Sequence, residues 1–204
     1  MKIKSILIGS LFVAALYSCS SEKPAETTVA VDSTAEVTYT VSTEGSSVLW
    51  EGSVIKAHKH FGTLKLTEGT FTLKGTQVVA GTFTTDMKTI NPTDSGYNKE
   101  HPKEGLVGHL GTAEFFAVDS FPTAKFVIKS FEGNTVTGDL TLRGKTNEEK
   151  VTDIVVDTTA GVVKATGKLT VDRQKYGVSY KSAMKDMVLS DELKLEVTLV
   201  GNKQ

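Results

Sequence analysis

From about residue 37 onward the chain alternates apolar and polar side chains with a period of two, segment after segment. Val48, Trp50, Gly52 and Val54 share one face of a first strand, with Ser47, Glu51, Ser53 and Lys56 on the other side or at its end. Val79, Gly81, Phe83, Thr85 and Met87 alternate with Ala80, Thr82, Thr84 and Asp86. Ala124, Phe126 and Ile128 share a face, and Val136, Gly138, Leu140 and Leu142 oppose Thr135, Thr137, Asp139, Thr141 and Arg143. Val163, Ala165, Gly167, Leu169 and Val171 oppose Lys164, Thr166, Lys168 and Asp172, and Leu193, Leu195, Val197 and Leu199 oppose Lys194, Glu196 and Thr198. Gly62–Leu66 and Gly69–Leu73 read as two short arms of a tight hairpin around Thr67 and Glu68.

Strands with one apolar face must bury those faces against one another, as a sandwich or as a closed barrel. Gly52, Gly81, Gly138, Ala165 and Gly167 stand on the apolar faces themselves, where a sheet bends sharply or leaves room inside. That pattern favours an all-β barrel. The single helical interruption is Pro102 to Leu110, where Leu106, Val107 and Leu110 have helical spacing. It lies within a connection from Asn91 to Phe121 that is too long for a hairpin and of a length more often functional than idle.

The N-terminus follows a different rule. Lys2 and Lys4 precede an apolar stretch from Ile6 to Leu16, too short for a spanning helix and of signal-peptide type. Leu16-Tyr17-Ser18-Cys19 closes it with the only cysteine of the chain and resembles the lipobox of bacterial lipoproteins, which implies cleavage before Cys19 and acylation of that residue. From Ser20 the sequence is rich in Ser, Thr, Ala and Glu, with too little apolar surface to offset ordering entropy. The expected organisation is therefore a lipoprotein signal peptide at 1–18, a flexible tether at 19–36 and one barrel domain at 37–204. Ser20 and Ser21, rather than an aspartate, resemble the positions after the cysteine in lipoproteins sorted to an outer membrane, so the cell envelope is the expected location.

Without Lys2 and Lys4 there remain 21 basic against 24 acidic side chains, a formal charge of -3. No basic patch speaks for nucleic acid. Gly144-Lys145-Thr146 imitates the end of a phosphate-binding loop, but position 139, where the earlier glycine belongs, is Asp139. Ser53 and Lys56 have the spacing of an acyl-enzyme motif yet point to opposite faces of a strand. The chain does not read as an enzyme, and no cofactor is expected. His58 and His60 fall on the same side of an extended segment; a metal site would need further ligands such as His101, His109, Glu100, Glu104 or Asp94 to converge on them, which the spacing does not supply.

Specific residues then suggest a family. His60-Phe61-Gly62, Gly81-Thr82-Phe83 leading to Asp86-Met87, His109-Leu110, Glu114-Phe115-Phe116, Phe121 to Phe126, Gly138 to Gly144 and Asp172 to Gly177 occur in this order. Together they resemble the YceI-like, lipid/polyisoprenoid-binding family over roughly Val37 to Val200. The resemblance implies an antiparallel, lipocalin-like β-barrel holding an isoprenoid or related long-chain lipid, such as a quinone tail or polyprenyl lipid, while the lipobox at Cys19 implies membrane attachment through a lipid anchor. Candidates for an apolar lining are then Trp50, Phe83, Phe126, Ile128, Leu140, Leu142, Leu169, Val171, Leu195 and Val197. The alternative is that these side chains fill a solid barrel core and that the protein acts through its surface as a structural or stress-protective envelope protein. His60 and His109 are possible mouth or headgroup contacts by resemblance. Arg173 and Tyr176 offer donors to a headgroup, or else Arg173 pairs with Asp172 or another carboxylate and pins the loop that follows.

Overall fold

The computed structural model describes residues 35–55, 58–159, 162–182 and 188–203. The expected signal peptide, Cys19 and the tether up to residue 34 lie outside them. Nine strands are described, β1 Glu36–Val41, β2 Ser47–Val54, β3 Lys59–Lys74, β4 Gln77–Pro92, β5 Thr123–Glu132, β6 Thr135–Leu142, β7 Lys145–Asp157, β8 Val163–Asp172 and β9 Leu189–Lys203, with one α-helix, α1, at Lys103–Gly111. The first strand thus starts at Glu36, inside the stretch expected to be tether.

All pairings are antiparallel, and the strands run β3-β2-β9-β8-β7-β6-β5-β4 before β4 closes back onto β3. β1 and β2 share one place in this ring. β2 pairs with Lys59–Leu64 of β3 and with the first part of β9, whereas β1 pairs with Thr70–Lys74 of β3 and with Gly201–Lys203 of β9. The result is an eight-stranded closed barrel, whose interior is either filled by side chains or able to hold one small ligand.

The expected hairpin at Thr67 and Glu68 is instead the middle of the continuous sixteen-residue β3. Leu64 and Leu66 point inward before these residues, and Phe71 and Leu73 after them, so the alternation changes phase from even to odd positions. A bulge between Leu66 and Glu68 in the pairing with β4 absorbs that change. β7 is a strand the alternation does not announce, because its inward positions at one end are the polar Asn147 and the buried Glu149.

The two barrel ends differ. At one, Val41, Phe71, Leu73 and Val163 are buried, Tyr39 stacks on Phe71 at 5.4 Å, and the floor is solid. At the other, the connection between β4 and β5 carries α1, with Leu110 buried and Leu106 packed against the core, and Phe115 and Phe116 follow it. The chain leaving β8 turns through a short 3-10 helix, Arg173–Tyr176, before reaching β9.

Candidate functional site

Several inward-facing side chains are packed against the core yet only partly buried, among them Phe126 and Ile128 on β5 and Leu193, Leu195 and Val197 on β9. They face a cavity of about 390 Å³ inside the barrel, within the span of about 300–1,000 Å³ usual for small-molecule sites. Its wall draws on β2 through β9, from Val78, Val136 and Leu199 near the floor to His58, His60, Leu106, His109, Phe115 and Tyr180 at the helix-bearing end. Nearly all of this wall is hydrocarbon.

Of the lining candidates, Trp50, Phe83, Phe126, Ile128, Leu140, Leu142, Leu169, Leu195 and Val197 are brought together on the wall. Val171 is not on it. One pleat beyond Leu169, where the 3-10 helix begins, it is 1% exposed and packs into the solid core. The interior glycines divide in the same way. Gly52 and Gly167 line the cavity, whereas rings cover the other two: a Cβ on Gly81 would stand 2.8 Å from Cζ of Phe83, and one on Gly138 would stand 2.6 Å from Cζ of Phe126. Those two glycines make room for aromatic side chains rather than for a guest.

The polar candidates separate more sharply. Arg173, 6% exposed, is on the wall, but its guanidinium is committed to the protein: Nε donates to the Ser190 carbonyl at 2.9 Å, Nη1 to those of Val178 and Tyr180, and Nη2 meets the Asp191 carboxylate at 2.9 Å. Its carboxylate partner is Asp191 and not Asp172, which caps the 3-10 helix by accepting from the Gln174 amide. Arg173 thereby ties both sides of the segment between the 3-10 helix and β9. Tyr176 is fully buried away from the cavity, and its hydroxyl donates to Glu149 at 2.9 Å. Burial and that carboxylate together raise the phenol above its ordinary value.

His58, His60 and His109 remain at the mouth, whereas His101 is exposed and not on the wall. His109 meets Phe115 and Tyr180 edge-on, at 4.7 and 4.8 Å between ring centres, in a three-ring cluster. His58 and His60 meet edge-on at 5.1 Å. His60 Nδ1 is 2.8 Å from Asp94 Oδ2, while the Tyr97 hydroxyl donates to Asp94 Oδ1 at 2.6 Å and the Tyr97 ring stacks on His60. Burial works against the charge on Asp94, but the bonds from Tyr97 and His60 outweigh it and hold the carboxyl below the usual aspartate range. No group of three or more side chains of metal-ligating type converges among the described residues. Tyr97 and Tyr180 carry no sequence signal of their own, since each becomes part of the mouth only when its loop folds across it.

Solved structures share this architecture. BcnA of Burkholderia cenocepacia superposes with a TM-score of 0.55 at 20% identity, covering 79% of this chain and 99% of that one. A polyisoprenoid binding domain from Saccharophagus degradans superposes with a TM-score of 0.52 at 10% identity, covering 82% of this chain and 99% of the other. At these identities the likeness is one of fold. In sequence, a UPF0312 protein of Staphylococcus aureus strain USA300 is 32% identical over 128 residues, which span 57% of this chain and 71% of the relative. The family model for the YceI-like domain matches residues 39–201, the whole barrel from within β1 to within β9, and on that match the chain belongs to the YceI-like family.

Proposed function

We propose that this protein binds one long-chain amphiphile of isoprenoid type, a quinone or polyprenyl lipid, inside its barrel and stores or carries it at the bacterial envelope. The observation that carries this reading is the cavity of about 390 Å³, walled by hydrocarbon, solid at one end and polar at the other. Each methylene moved from water into such a wall contributes about 0.8 kcal/mol, so roughly twenty carbons supply on the order of 15 kcal/mol before ordering and association costs. Affinity then needs no polar anchor, and the mouth serves orientation. The description of the Saccharophagus degradans domain as polyisoprenoid binding supports an isoprenoid chain as the occupant. Acylation of Cys19 would keep the barrel beside the membrane where such lipids reside.

The test is native mass spectrometry of the full chain purified from a bacterial host, followed by organic extraction and lipid analysis. Gly52→Phe is the blocking variant, because Gly52 lines the cavity and a Cβ there meets nothing within 4 Å. A stoichiometric isoprenoid lost in that variant supports the carrier reading. An empty protein that also fails to take up added quinones and polyprenyl lipids favours a barrel acting through its outer surface.

A further inference from the structure

We propose that His60 selects the amphiphile by its polar end, favouring a neutral head that donates a hydrogen bond, such as an alcohol or a hydroquinone hydroxyl, over an ether, a quinone carbonyl or a phosphate. The proposal rests on the reading of the cavity as a lipid site and narrows it.

Asp94 is held as a carboxylate whose side chain is only 6% exposed, and a carboxylate can only accept. Its Oδ1 takes the proton of Tyr97, and its Oδ2 lies 2.8 Å from His60 Nδ1. The Tyr97 oxygen, its proton already given to Asp94, is the other atom near Nδ1, at 3.4 Å. Nδ1 thus faces acceptors and must itself carry a hydrogen, which fixes the neutral ring in the tautomer with a bare Nε2. Nε2 has no hydrogen-bond partner among the described residues, and His60 is part of the cavity wall. A bare imidazole nitrogen accepts. A ligand hydroxyl satisfies it, an ether or carbonyl oxygen meets it lone pair to lone pair, and a phosphate adds repulsion from the Asp94 charge directly behind the ring.

The selecting device is therefore a chain of three residues from three places. His60 is the second residue of β3, Asp94 follows the end of β4, and Tyr97 lies farther along the connection to α1. The packing of Tyr97 on the His60 ring and the bond to Asp94 orient one imidazole at the mouth of an otherwise apolar space. Hydrocarbon contacts do not distinguish an alcohol from its ether, so a preference between them isolates the polar contact.

The experiment uses the full chain, stripped of endogenous lipid on a hydrophobic resin, at about pH 9, well above the ordinary histidine range. Geranylgeraniol, its methyl ether and its monophosphate are titrated by displacement of a fluorescent fatty probe. The alcohol is expected to bind about five-fold more tightly than the ether, the worth of one neutral hydrogen bond, with the phosphate weaker than the alcohol. His60→Phe abolishes the difference between alcohol and ether, and His60→Gln, which keeps an acceptor oxygen, restores part of it. Nitrogen-15 NMR of the labelled imidazole in the unsubstituted protein gives a readout free of any folding defect: Nδ1 is protonated, and the Nε2 resonance moves on addition of alcohol but not of ether. Equal affinities for alcohol and ether, a tighter phosphate, or an Nε2 resonance indifferent to the alcohol overturns the proposal while leaving the cavity reading intact. Absence of binding by all three overturns both.

Discussion

The Phe126 ring on β5 lies over Gly138 on β6, so closely that a methyl group on that glycine would stand 2.6 Å from Cζ of the ring and 2.5 Å from the Val127 carbonyl oxygen. Phe126 is opposite Leu140 and Gly138 opposite Ile128, so the ring reaches its glycine diagonally across the pair. The glycine lets a large ring lie flat along the inner wall and line the cavity instead of crossing it.

Gly138→Ala should therefore destabilise the barrel by about 1–3 kcal/mol, because the carbonyl that the new methyl meets belongs to the sheet and cannot turn away. Gly52→Ala, which meets nothing within 4 Å, should stay within about 0.5 kcal/mol of the unsubstituted protein. Urea unfolding of the two variants side by side checks this. Equal midpoints would show that the β6 position has slack.

Arg173→Met should cost about 3 kcal/mol or more, since it leaves the carbonyls of Val178, Tyr180 and Ser190 without their buried donor and Asp191 without its cation. Lysine should not rescue it, because an ammonium cannot serve donors to four separate acceptors in the plane of a guanidinium. Hydrogen exchange supplies the local readout. Amides at residues 178–182 and 188–190 should exchange faster in the variant than amides of β5 and β6.

Alternation along the chain makes the barrel legible, and its failures are local. Thr67 and Glu68 look like a turn because two polar residues separate two apolar arms, yet what they mark is a change of phase at a bulge. β7 is hidden because Glu149 faces inward and is buried, an arrangement satisfied by the Tyr176 hydroxyl, which lies 27 residues away, with Lys175 Nζ 3.9 Å from the same carboxylate. In the candidate site, the apolar wall follows from strand phase, with Val171 excluded because the chain beyond it folds over that end. The polar mouth does not follow from pattern at all. Asp94 and Tyr97 reach His60 through a separation of more than thirty residues, and no period encodes such a meeting.

Tyr176→Phe removes the proton that satisfies Glu149 and should lower stability by about 1–3 kcal/mol at neutral pH. Its effect should also depend on alkali. The folded protein holds this phenolic proton beyond the ordinary value of 10.0, so the contribution is complete below that pH and is lost as the pH rises from there toward the folded value. The difference in unfolding free energy between protein and variant should shrink above about pH 10. A difference that stays level through that range would mean that the hydroxyl does not titrate differently in the folded state.

The acid side belongs to Asp94. Its carboxyl titrates near 3.8 in an unfolded chain and lower in the fold, where Tyr97 and His60 hold it. Between those two values the unfolded chain binds more protons than the folded one, so stability rises with pH through the window. The contribution is therefore complete above about pH 4 and disappears as the pH falls through the folded value. Asp94→Asn abolishes this titration while keeping the shape of the side chain. Urea unfolding at a series of pH values from neutral downward should show the variant less stable at neutral pH, with the gap to the unsubstituted protein closing in acid. Glu51 and Asp157 are also held below their ordinary values, but they remain in both proteins and cancel in the comparison. A gap independent of pH would assign the cost of the substitution to packing alone and remove the fixed charge on which the orientation of His60 depends.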